Sequence, residues 1–353
     1  MTSPLLEVRD VTKSFPRRRD LLGRVRESVH AVDGVSLELR AGETLGVVGE
    51  SGSGKSTLGR LVLRLIAADS GSIRFRGEDL LAMKPRELRK RRRDMQMIFQ
   101  DPYASLDPTK RISQSIGEPL TIFEGLRGRD RDDAVRGLLA KVNLGEHHMD
   151  RYPAEMSGGQ RQRVAIARAL ALDPALIVAD EAVSALDVST QSEIINLMGR
   201  LQREQSLTYL FISHNLNIVR HVSTRIVVMY LGKIVEEGSA EQVYEQPLHP
   251  YTQALLRAIP IPDPDIQATR PRIILSGDAP DPAHPPSGCN FSNRCPYVMD
   301  ICRAEDPSLL PARSGSAVAC HLHTVGPALA GESVNSLEIA ATRRDRSTIG
   351  GSA

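Results

Sequence analysis

A glycine-rich segment near residue 50 contains a lysine and several hydroxyl side chains at close spacing. An apolar run ending at Val48 precedes it and a helical apolar pattern beginning at Leu58 follows it, so the order is strand, turn and helix. Glycines allow the backbone to curl until successive N–H groups face phosphate oxygens, and the start of the helix adds a partial positive charge. Lys55 can then reach the β- and γ-phosphates of a nucleotide, and the Ser56 hydroxyl can ligate Mg²⁺. The segment therefore predicts nucleotide binding. Its residues are Gly49, Glu50, Ser51, Gly52, Ser53, Gly54, Lys55, Ser56 and Thr57.

Two adjacent carboxylates, Asp180 and Glu181, follow a fully apolar run of strand length at residues 175–179. Such a run is typical of a central strand in a parallel sheet. Acidic side chains at the end of a buried strand are poor for stability but suit magnesium chemistry. We expect Asp180 to orient the metal through its water shell and Glu181 to polarise an attacking water. The alternative is a pair of surface acids that merely follow a strand.

Three further features have the residue types of a nucleotide site. Ser157, Gly158, Gly159 and Gln160 open a helix, with Ser157 as its N-cap, and the two glycines leave its N-terminus bare for a second anion site. Gln100 follows the buried run 95–99, and His214 follows the apolar strand 207–212. A lone histidine is more often structural. Because His214 ends a core strand at the edge where the other motifs collect, we interpret it as functional.

Composition and charge limit the classes of protein to which this chain can belong. The chain has 353 residues, 41% hydrophobic and 25% charged, which suffices for a large core and more than one domain. The net charge is +2, there is no Trp, and aromatic residues make up 4%, so stacking platforms for nucleic acid are scarce. The first nine residues lack a signal-peptide pattern, and no apolar run approaches the roughly 18–20 residues that span a bilayer. We expect a cytoplasmic protein that would need a spanning partner for any membrane role.

The remaining pattern alternates between strands and helices. A helical pattern from residue 112 to residue 156 indicates an insertion between parts of an α/β core. The basic stretch from Pro16 to about His30 is expected to be a solvated loop. The basic run 86–93 is expected to be a solvated helix face, with a nucleic-acid patch as the alternative. The predicted strands are residues 5–15, 35–39, 43–48, 73–75, 95–99, 175–179, 207–212, 226–229 and 234–235.

Residues 5 to about 245 resemble the ATP-binding subunit of an ABC transporter, because they contain the motifs of that family in the same order. The resemblance implies an α/β fold: a P-loop NTPase (RecA-like) core with an antiparallel β subdomain and a helical insertion at about 105–160. Three positions depart from the usual pattern: Met156 stands in place of Leu, Ala182 in place of Pro and Asn215 in place of Asp. The matching motifs are the adenine-stacking aromatic Phe15, the Walker A loop Gly49–Thr57, the Q-loop Gln100, the signature Ser157–Gln160, the Walker B pair Asp180–Glu181, the D-loop Asp187 and the switch His214.

The resemblance also implies a mechanism. Two such subunits pack head to tail, and each ATP lies between the Walker A loop of one and the signature helix of the other. Glu181 would be the general base, and His214 would contact the γ-phosphate. The Mg²⁺ site would be formed by Ser56, Gln100 and Asp180. Gln100 would also sense the nucleotide and link it to the helical insertion, which docks on a membrane partner.

Residues 246–324 resemble the C-terminal extension of oligopeptide and dipeptide importer ATPases. The matching stretches are Leu248–Leu256, Pro286–Phe291 and Arg294–Pro296. Four cysteines lie within this extension. They suit a [4Fe–4S] cluster, which the resemblance favours, or Zn²⁺, which the absence of paired CxxC motifs disfavours. Free thiols are the third alternative, and His321 and His323 are candidate substitute ligands. The cysteines are Cys289, Cys295, Cys302 and Cys320.

These observations define the expected organisation and function. We expect a nucleotide-binding domain at 1–245, the extension at 246–324 and a disordered tail at 325–353. Within the extension, the proline-dense stretch at 260–286 is expected to form an extended connection. The expected role is ATP hydrolysis that energises a membrane importer of di- or oligopeptides, at the cytoplasmic face of the membrane. The partners would be a second ATPase subunit (a paralogue or a second copy), two transmembrane permease subunits and, indirectly, an extracytoplasmic solute-binding protein, with no nucleic acid. The alternatives are another solute such as nickel or glutathione, or a soluble ABC ATPase acting on nucleic acid or ribosomes.

Overall fold

The computed structural model describes residues 3–20, 25–259, 280–312, 315–326 and 331–337. Its strands are β1 (Leu6–Arg19), β2 (Val25–Leu39), β3 (Thr44–Val48), β4 (Ser70–Phe75), β5 (Glu78–Asp79), β6 (Met95–Ile98), β7 (Leu176–Asp180), β8 (Thr208–Ser213), β9 (Arg225–Tyr230), β10 (Lys233–Ser239), β11 (Leu310–Pro311) and β12 (Ala317–Val318). Its helices are α1 (Lys55–Val62), α2 (Pro85–Arg91), α3 (Pro102–Ser105), α4 (Ile112–Phe123), α5 (Gly128–Lys141), α6 (Gly158–Leu170), α7 (Val188–Gln205), α8 (Leu216–Val222), α9 (Ala240–Glu245), α10 (Pro250–Arg257) and α11 (Asp300–Ala304).

The chain divides into two compact units, neither of which is continuous in sequence. The first unit comprises Met1–Val11, Ser36–Gly46 and Ser56–His214. The second unit comprises Thr12–Val35, Val47–Lys55 and Asn215–Ala353.

Parallel strands in the first unit bring several functional residues to one edge. β7 pairs in parallel with β6 and with β8, and Leu176 lies opposite both Met95 and Thr208. All five residues of β7 and all six of β8 are buried, as expected for strands covered on both faces. Because the three strands run in the same direction, the residues that follow them leave the sheet at the same edge. A smaller sheet in this unit contains the antiparallel pair β4 and β5.

The predicted helical insertion is present in the first unit. Helices α4, α5 and α6 pack against one another. Val135, Leu138 and Leu139 of α5 are buried, and they lie three to four residues apart, on the apolar face that the sequence predicts. The apolar spacing therefore determines which side of the helix packs inward.

The second unit contains an antiparallel sheet in which β10 pairs with β9 and with β12. Glu236 of β10 is fully buried, and its two carboxylate oxygens accept hydrogen bonds of 2.8 Å from the backbone N–H groups of Leu248 and His249. Burial raises the pKa of Glu236 to about 7, because it opposes the charge more than these hydrogen bonds favour it. The buried carboxyl group thus fastens the segment that leads into α10 to the sheet.

Two sequence expectations differ from the structure. The loop predicted from Pro16 to about His30 is wrong at both ends, because β1 extends to Arg19 and β2 begins at Val25. The first half of β2 is partly or fully exposed, so it lacks the apolar alternation by which a strand is recognised. Residues 21–24 lie outside the described residues, as does most of the proline-dense stretch 260–286.

The second difference concerns the segment expected to be a disordered tail. Residues 331–337 are packed: Val334 is fully buried against Leu248 and Leu322, and its N–H group donates to the Pro247 carbonyl at 3.0 Å. Two apolar side chains in a polar stretch, Val334 and Leu337, supply the packing that the sequence pattern did not reveal. The rest of that tail, residues 327–330 and 338–353, lies outside the described residues.

Candidate functional site

The segment Gly49–Thr57 forms a tight loop between β3 and α1. Gly54 has a φ of +100°, a backbone conformation that L side chains rarely adopt. A Cβ atom at this position would lie 2.0 Å from the carbonyl oxygen of Ala31. The position therefore requires glycine for its backbone conformation and for the close approach of the neighbouring strand.

Lys55 folds back over this loop, within the second unit. Its ammonium group donates to the carbonyl oxygens of Gly49 at 2.8 Å and Glu50 at 2.7 Å, and to the Ser53 hydroxyl at 3.2 Å. The side chain is only 4% exposed. A buried cation held by loop carbonyls at the start of a helix is suited to hold an anion.

A second group of side chains lies at the edge of the parallel sheet in the first unit. The Ser56 hydroxyl donates to the Asp180 carboxylate at 2.7 Å. Asp180 is 3% exposed, at the end of β7. A hydroxyl and a carboxylate oxygen side by side are the hard oxygen donors that Mg²⁺ prefers.

Glu181 is held between residues that follow the two neighbouring strands. The amide nitrogen of Gln100, just after β6, donates to one carboxylate oxygen of Glu181 at 2.9 Å. Nδ1 of His214, just after β8, lies 3.3 Å from the other oxygen. Glu181 has a φ of +47°, a left-handed backbone conformation that is uncommon for a residue other than glycine. The structure thus brings Gln100, Glu181 and His214 together.

The helix N-terminus at Ser157 has the cap that the sequence predicts. The Gln160 N–H donates to the Ser157 hydroxyl at 3.2 Å, and the Ser157 N–H donates to the Gln160 side-chain oxygen at 3.0 Å. A Cβ atom on Gly159 would lie 2.5 Å from Thr190 Cγ2, so this glycine permits close packing of α6 on α7. Ser157 therefore has a structural role, and it leaves the exposed helix start open to a ligand.

Asp187 and Phe15 lie on exposed surface. The Ser189 and Thr190 hydroxyls and the Thr190 N–H donate to Asp187, and these bonds lower the pKa of its carboxyl group to about 2. Asp187 is thereby the N-cap of α7. Phe15 on β1 is 41% exposed, and the Lys13 ammonium lies 5.6 Å from its ring centre. An exposed ring of this kind is available for stacking.

Sequence reasoning missed two residues of the extension that contact the loop. Arg294 forms a two-pronged ion pair with Glu50, and the Glu50 N–H donates to the Tyr251 hydroxyl at 2.7 Å. These residues are more than 200 positions apart in the sequence, and no local pattern links them. The only signal was that both lie in stretches that resemble the importer extension.

The four cysteines are free thiols, two half-buried and two buried. The Cys289 N–H donates to the Cys302 carbonyl at 2.8 Å. Burial raises the thiol pKa of Cys289 to about 11 and of Cys295 to about 12, and neighbouring cysteines raise both further. Burial also raises the pKa of Cys320. Among the described residues, no group of three or more His, Cys, Asp or Glu side chains is arranged to hold a metal ion. The arrangement therefore does not support the expected iron–sulfur or zinc site.

Within the described ranges, no helix has the length and apolar character needed to cross a membrane.

Comparison with known proteins identifies the family. Residues 32–184 match the ABC transporter family, and residues 235–302 match the oligopeptide/dipeptide transporter C-terminal region. The chain is 51% identical over 321 residues to the oligopeptide transport ATP-binding protein AppF of Bacillus subtilis, covering 91% of this chain and 98% of that protein. It is 46% identical over 320 residues to the dipeptide transport ATP-binding protein DppF of Escherichia coli, covering 91% and 95%.

Solved structures agree with this assignment. The dimeric post-hydrolysis structure of the ATP-binding cassette MJ0796, bound to ADP and Pi, has a TM-score of 0.60 and 30% identity, covering 67% of this chain and 98% of that one. The structure of cbiO1 from Clostridium perfringens, part of an ABC transporter complex, has a TM-score of 0.60 and 25% identity, covering 69% and 92%. The chain therefore belongs to the ATP-binding proteins of the ABC transporter family, in the branch that carries the oligopeptide/dipeptide transporter C-terminal region.

Proposed function

We propose that this chain hydrolyses ATP to drive the import of di- or oligopeptides through a membrane transporter. The observation that carries the proposal is the pair of contacts on Glu181, from Gln100 at 2.9 Å and from His214 at 3.3 Å, in a chain with the peptide-transporter C-terminal region. The contacts support hydrolysis, and the C-terminal region supports the cargo. We assign residues 1–245 to nucleotide binding and hydrolysis and residues 246–324 to the extension.

In this proposal, Glu181 is the general base that takes a proton from the attacking water. The side chain is held from both sides and is 14% exposed, so its carboxylate has a defined direction and limited competition from solvent. His214 contacts the γ-phosphate, and Gln100 reports nucleotide occupancy to the helical insertion. Phe15 stacks on the adenine.

The phosphates are held by the loop Gly49–Thr57, including Ser51, Gly52, Ser53 and Thr57, and by Lys55. The oxygen donors of Ser56, Asp180 and Gln100 suit Mg²⁺, which neutralises phosphate charge when it is bound. The hydrogen bond of 2.7 Å between Ser56 and Asp180 holds two of these donors side by side.

A second ATPase subunit completes the site in this proposal. The exposed helix start at Ser157–Gln160 and the exposed Asp187 would face the nucleotide of that subunit. The partner is a paralogue or a second copy of this chain. Two transmembrane permease subunits receive the helical insertion, which puts the ATPase on the cytoplasmic face of the membrane, and an extracytoplasmic solute-binding protein delivers the cargo.

The test is uptake of labelled dipeptide and oligopeptide by host cells that lack redundant systems and carry either the wild-type chain or Glu181→Gln. Loss of peptide uptake, with normal nickel and glutathione uptake, supports the proposal. Unchanged peptide uptake together with lost nickel or glutathione uptake moves the cargo to that solute. If no solute uptake changes, while ribosome or nucleic-acid functions fail, the transport proposal is wrong.

We further propose that the four cysteines acquire a [4Fe–4S] cluster, with Zn²⁺ as the alternative metal. Four thiols between Cys289 and Cys320, two of them in segments joined by the hydrogen bond from the Cys289 N–H to the Cys302 carbonyl, support the proposal. Because the described side chains lack a ready ligand arrangement, binding requires the thiols to reorient. Anaerobic purification followed by iron, acid-labile sulfide and zinc analysis tests this. About four iron and four sulfide per chain supports the cluster, one zinc supports the alternative, and a metal-free folded chain refutes both.

A further inference from the structure

The extension that carries the cysteines also contacts the phosphate loop, within the second unit. Arg294 donates from Nη1 to one carboxylate oxygen of Glu50 at 2.8 Å and from Nη2 to the other at 3.1 Å. The Arg294 side chain is 10% exposed and that of Glu50 32%. A two-pronged pair between a guanidinium and a carboxylate defines both distance and orientation, and partial burial limits its screening by solvent. The pair therefore restrains the Glu50 side chain.

A second contact restrains the backbone of the same residue. The Glu50 N–H donates to the Tyr251 hydroxyl at 2.7 Å, and Tyr251 is fully buried. Its ring packs against Tyr230, with ring centres 4.6 Å apart, and against Phe291, with ring centres 5.5 Å apart. Because the tyrosine is fixed by aromatic neighbours, its hydroxyl provides a rigid acceptor for the loop amide.

A third contact anchors the extension beside the loop. The Asn290 side chain donates to the Leu231 carbonyl at 3.3 Å, and the next residue, Gly232, donates its N–H to the Ser53 carbonyl at 3.0 Å. The Arg294 guanidinium also lies 3.4 Å from the Tyr230 hydroxyl. The extension thus contacts the loop directly through the side chains of Arg294 and Tyr251, and indirectly through Leu231 and Gly232.

From these contacts we infer that Arg294 and Tyr251 are positioning residues for ATP binding. They act through Glu50, whose carbonyl oxygen, with that of Gly49, accepts the hydrogen bonds of the Lys55 ammonium. Holding both the side chain and the amide of Glu50 orients these carbonyls and therefore sets the position of Lys55. The extension adds to nucleotide affinity without contacting nucleotide. This inference rests on the phosphate-binding role proposed above for Gly49–Thr57.

The experiment measures equilibrium binding of Mg-ATP and the ATPase KM and kcat for the full-length chain. Arg294→Met is expected to raise Kd and KM about ten-fold, the scale of a lost charge-assisted hydrogen bond, with kcat within about two-fold of wild type. Arg294→Lys, which keeps the charge but not the two-pronged geometry, and Tyr251→Phe, which removes only the hydroxyl, are expected to raise Kd by about three-fold each. A merely structural role would instead lower the active fraction and kcat, with KM unchanged.

Two controls make the result specific. Asp281→Asn removes an ion pair between the extension and Arg17 on β1 that does not involve the loop, and it is expected to leave Kd unchanged. Once Arg294→Met is present, adding Glu50→Gln is expected to change Kd by less than two-fold, because the pair is already broken.

The outcomes distinguish a failure of this inference from a failure of the proposed phosphate-binding role of Gly49–Thr57. If Lys55→Ala leaves ATP affinity unchanged, the phosphate-loop assignment fails. If Lys55→Ala weakens binding but Arg294→Lys and Tyr251→Phe, both folded, bind ATP as tightly as wild type, the positioning role is wrong. If Arg294→Met does not fold, these two conservative variants still decide the question.

Discussion

Replacing the carboxylate of Glu181 by an amide tests the hydrolytic chemistry most sharply. In Glu181→Gln, the side-chain oxygen can still accept from Gln100, and the new amide group can donate to His214 Nδ1, so the contacts at 2.9 Å and 3.3 Å can persist. What is lost is the ability to accept a proton from water. A general base contributes about 10²–10⁴-fold to a rate, which corresponds to about 3–5 kcal/mol of activation free energy. We expect kcat to fall by that factor.

Binding of ATP should survive the same change. Lys55, which holds the loop carbonyls, and the Ser56–Asp180 pair do not depend on the Glu181 charge. The assay is release of phosphate from Mg-ATP, with equilibrium ATP binding measured on the same preparation. Glu193→Gln is the matched control, because Glu193 is 65% exposed in an ion pair with Arg163 on the helical surface and should alter neither quantity. A Glu181→Gln rate within about three-fold of wild type would refute the general-base assignment.

Three further changes have defined outcomes. Gly54→Ala forces a Cβ to within 2.0 Å of a backbone oxygen at a φ of +100°, so ATP binding should be abolished, while Gly137→Ala, on an open helix surface, should bind ATP normally. Asp180→Asn should lower the affinity for Mg²⁺ and raise the Mg²⁺ concentration for the half-maximal rate of ATP hydrolysis by about ten-fold or more, because it removes a charged oxygen donor beside Ser56. Burial raises the pKa of Glu236 from 4.5 to about 7 in the folded chain. Between these two pH values the folded chain keeps the proton and the unfolded chain has lost it. The contribution of Glu236 to the free energy of unfolding should therefore fall by about 1.4 kcal/mol per pH unit as the pH rises.

These three predictions fail in distinct ways. ATP binding by Gly54→Ala at wild-type affinity would mean that the loop tolerates a different backbone. An unchanged Mg²⁺ requirement in Asp180→Asn would remove this residue from the magnesium site. Urea unfolding of the wild type and of Glu236→Gln, measured from pH 4.5 to pH 8, should give a pH-dependent difference in the free energy of unfolding. Parallel pH profiles for wild type and Glu236→Gln would show that burial does not shift this carboxyl group.

The sequence predicts well that Gln100, Glu181 and His214 come together, because this depends only on local patterns. Gln100, Glu181 and His214 each follow an apolar run, and carboxyl ends of parallel strands meet at one edge whatever the details of packing. The apolar spacing of α5 likewise predicts its buried face. Such features follow from the periodicity of the apolar residues and from the direction of the strands.

The contact between Arg294 and Glu50 is of another kind. It joins residues 244 positions apart, and it depends on how the extension packs, which no short pattern records. The continuation of β1 to Arg19 escaped prediction because exposed arginines and a proline resemble a loop in sequence. Tertiary pairing rather than local preference forms that part of the strand.

The most direct test of the central claim is peptide import by vesicles that contain the assembled transporter, with its solute-binding protein supplied and Mg-ATP present on the side that carries this chain. Peptide accumulation and phosphate release are measured together for the wild type and for Glu181→Gln. Our account predicts that the wild type accumulates peptide as it hydrolyses ATP and that Glu181→Gln loses both while still binding ATP. Peptide accumulation by Glu181→Gln at the wild-type rate would contradict it.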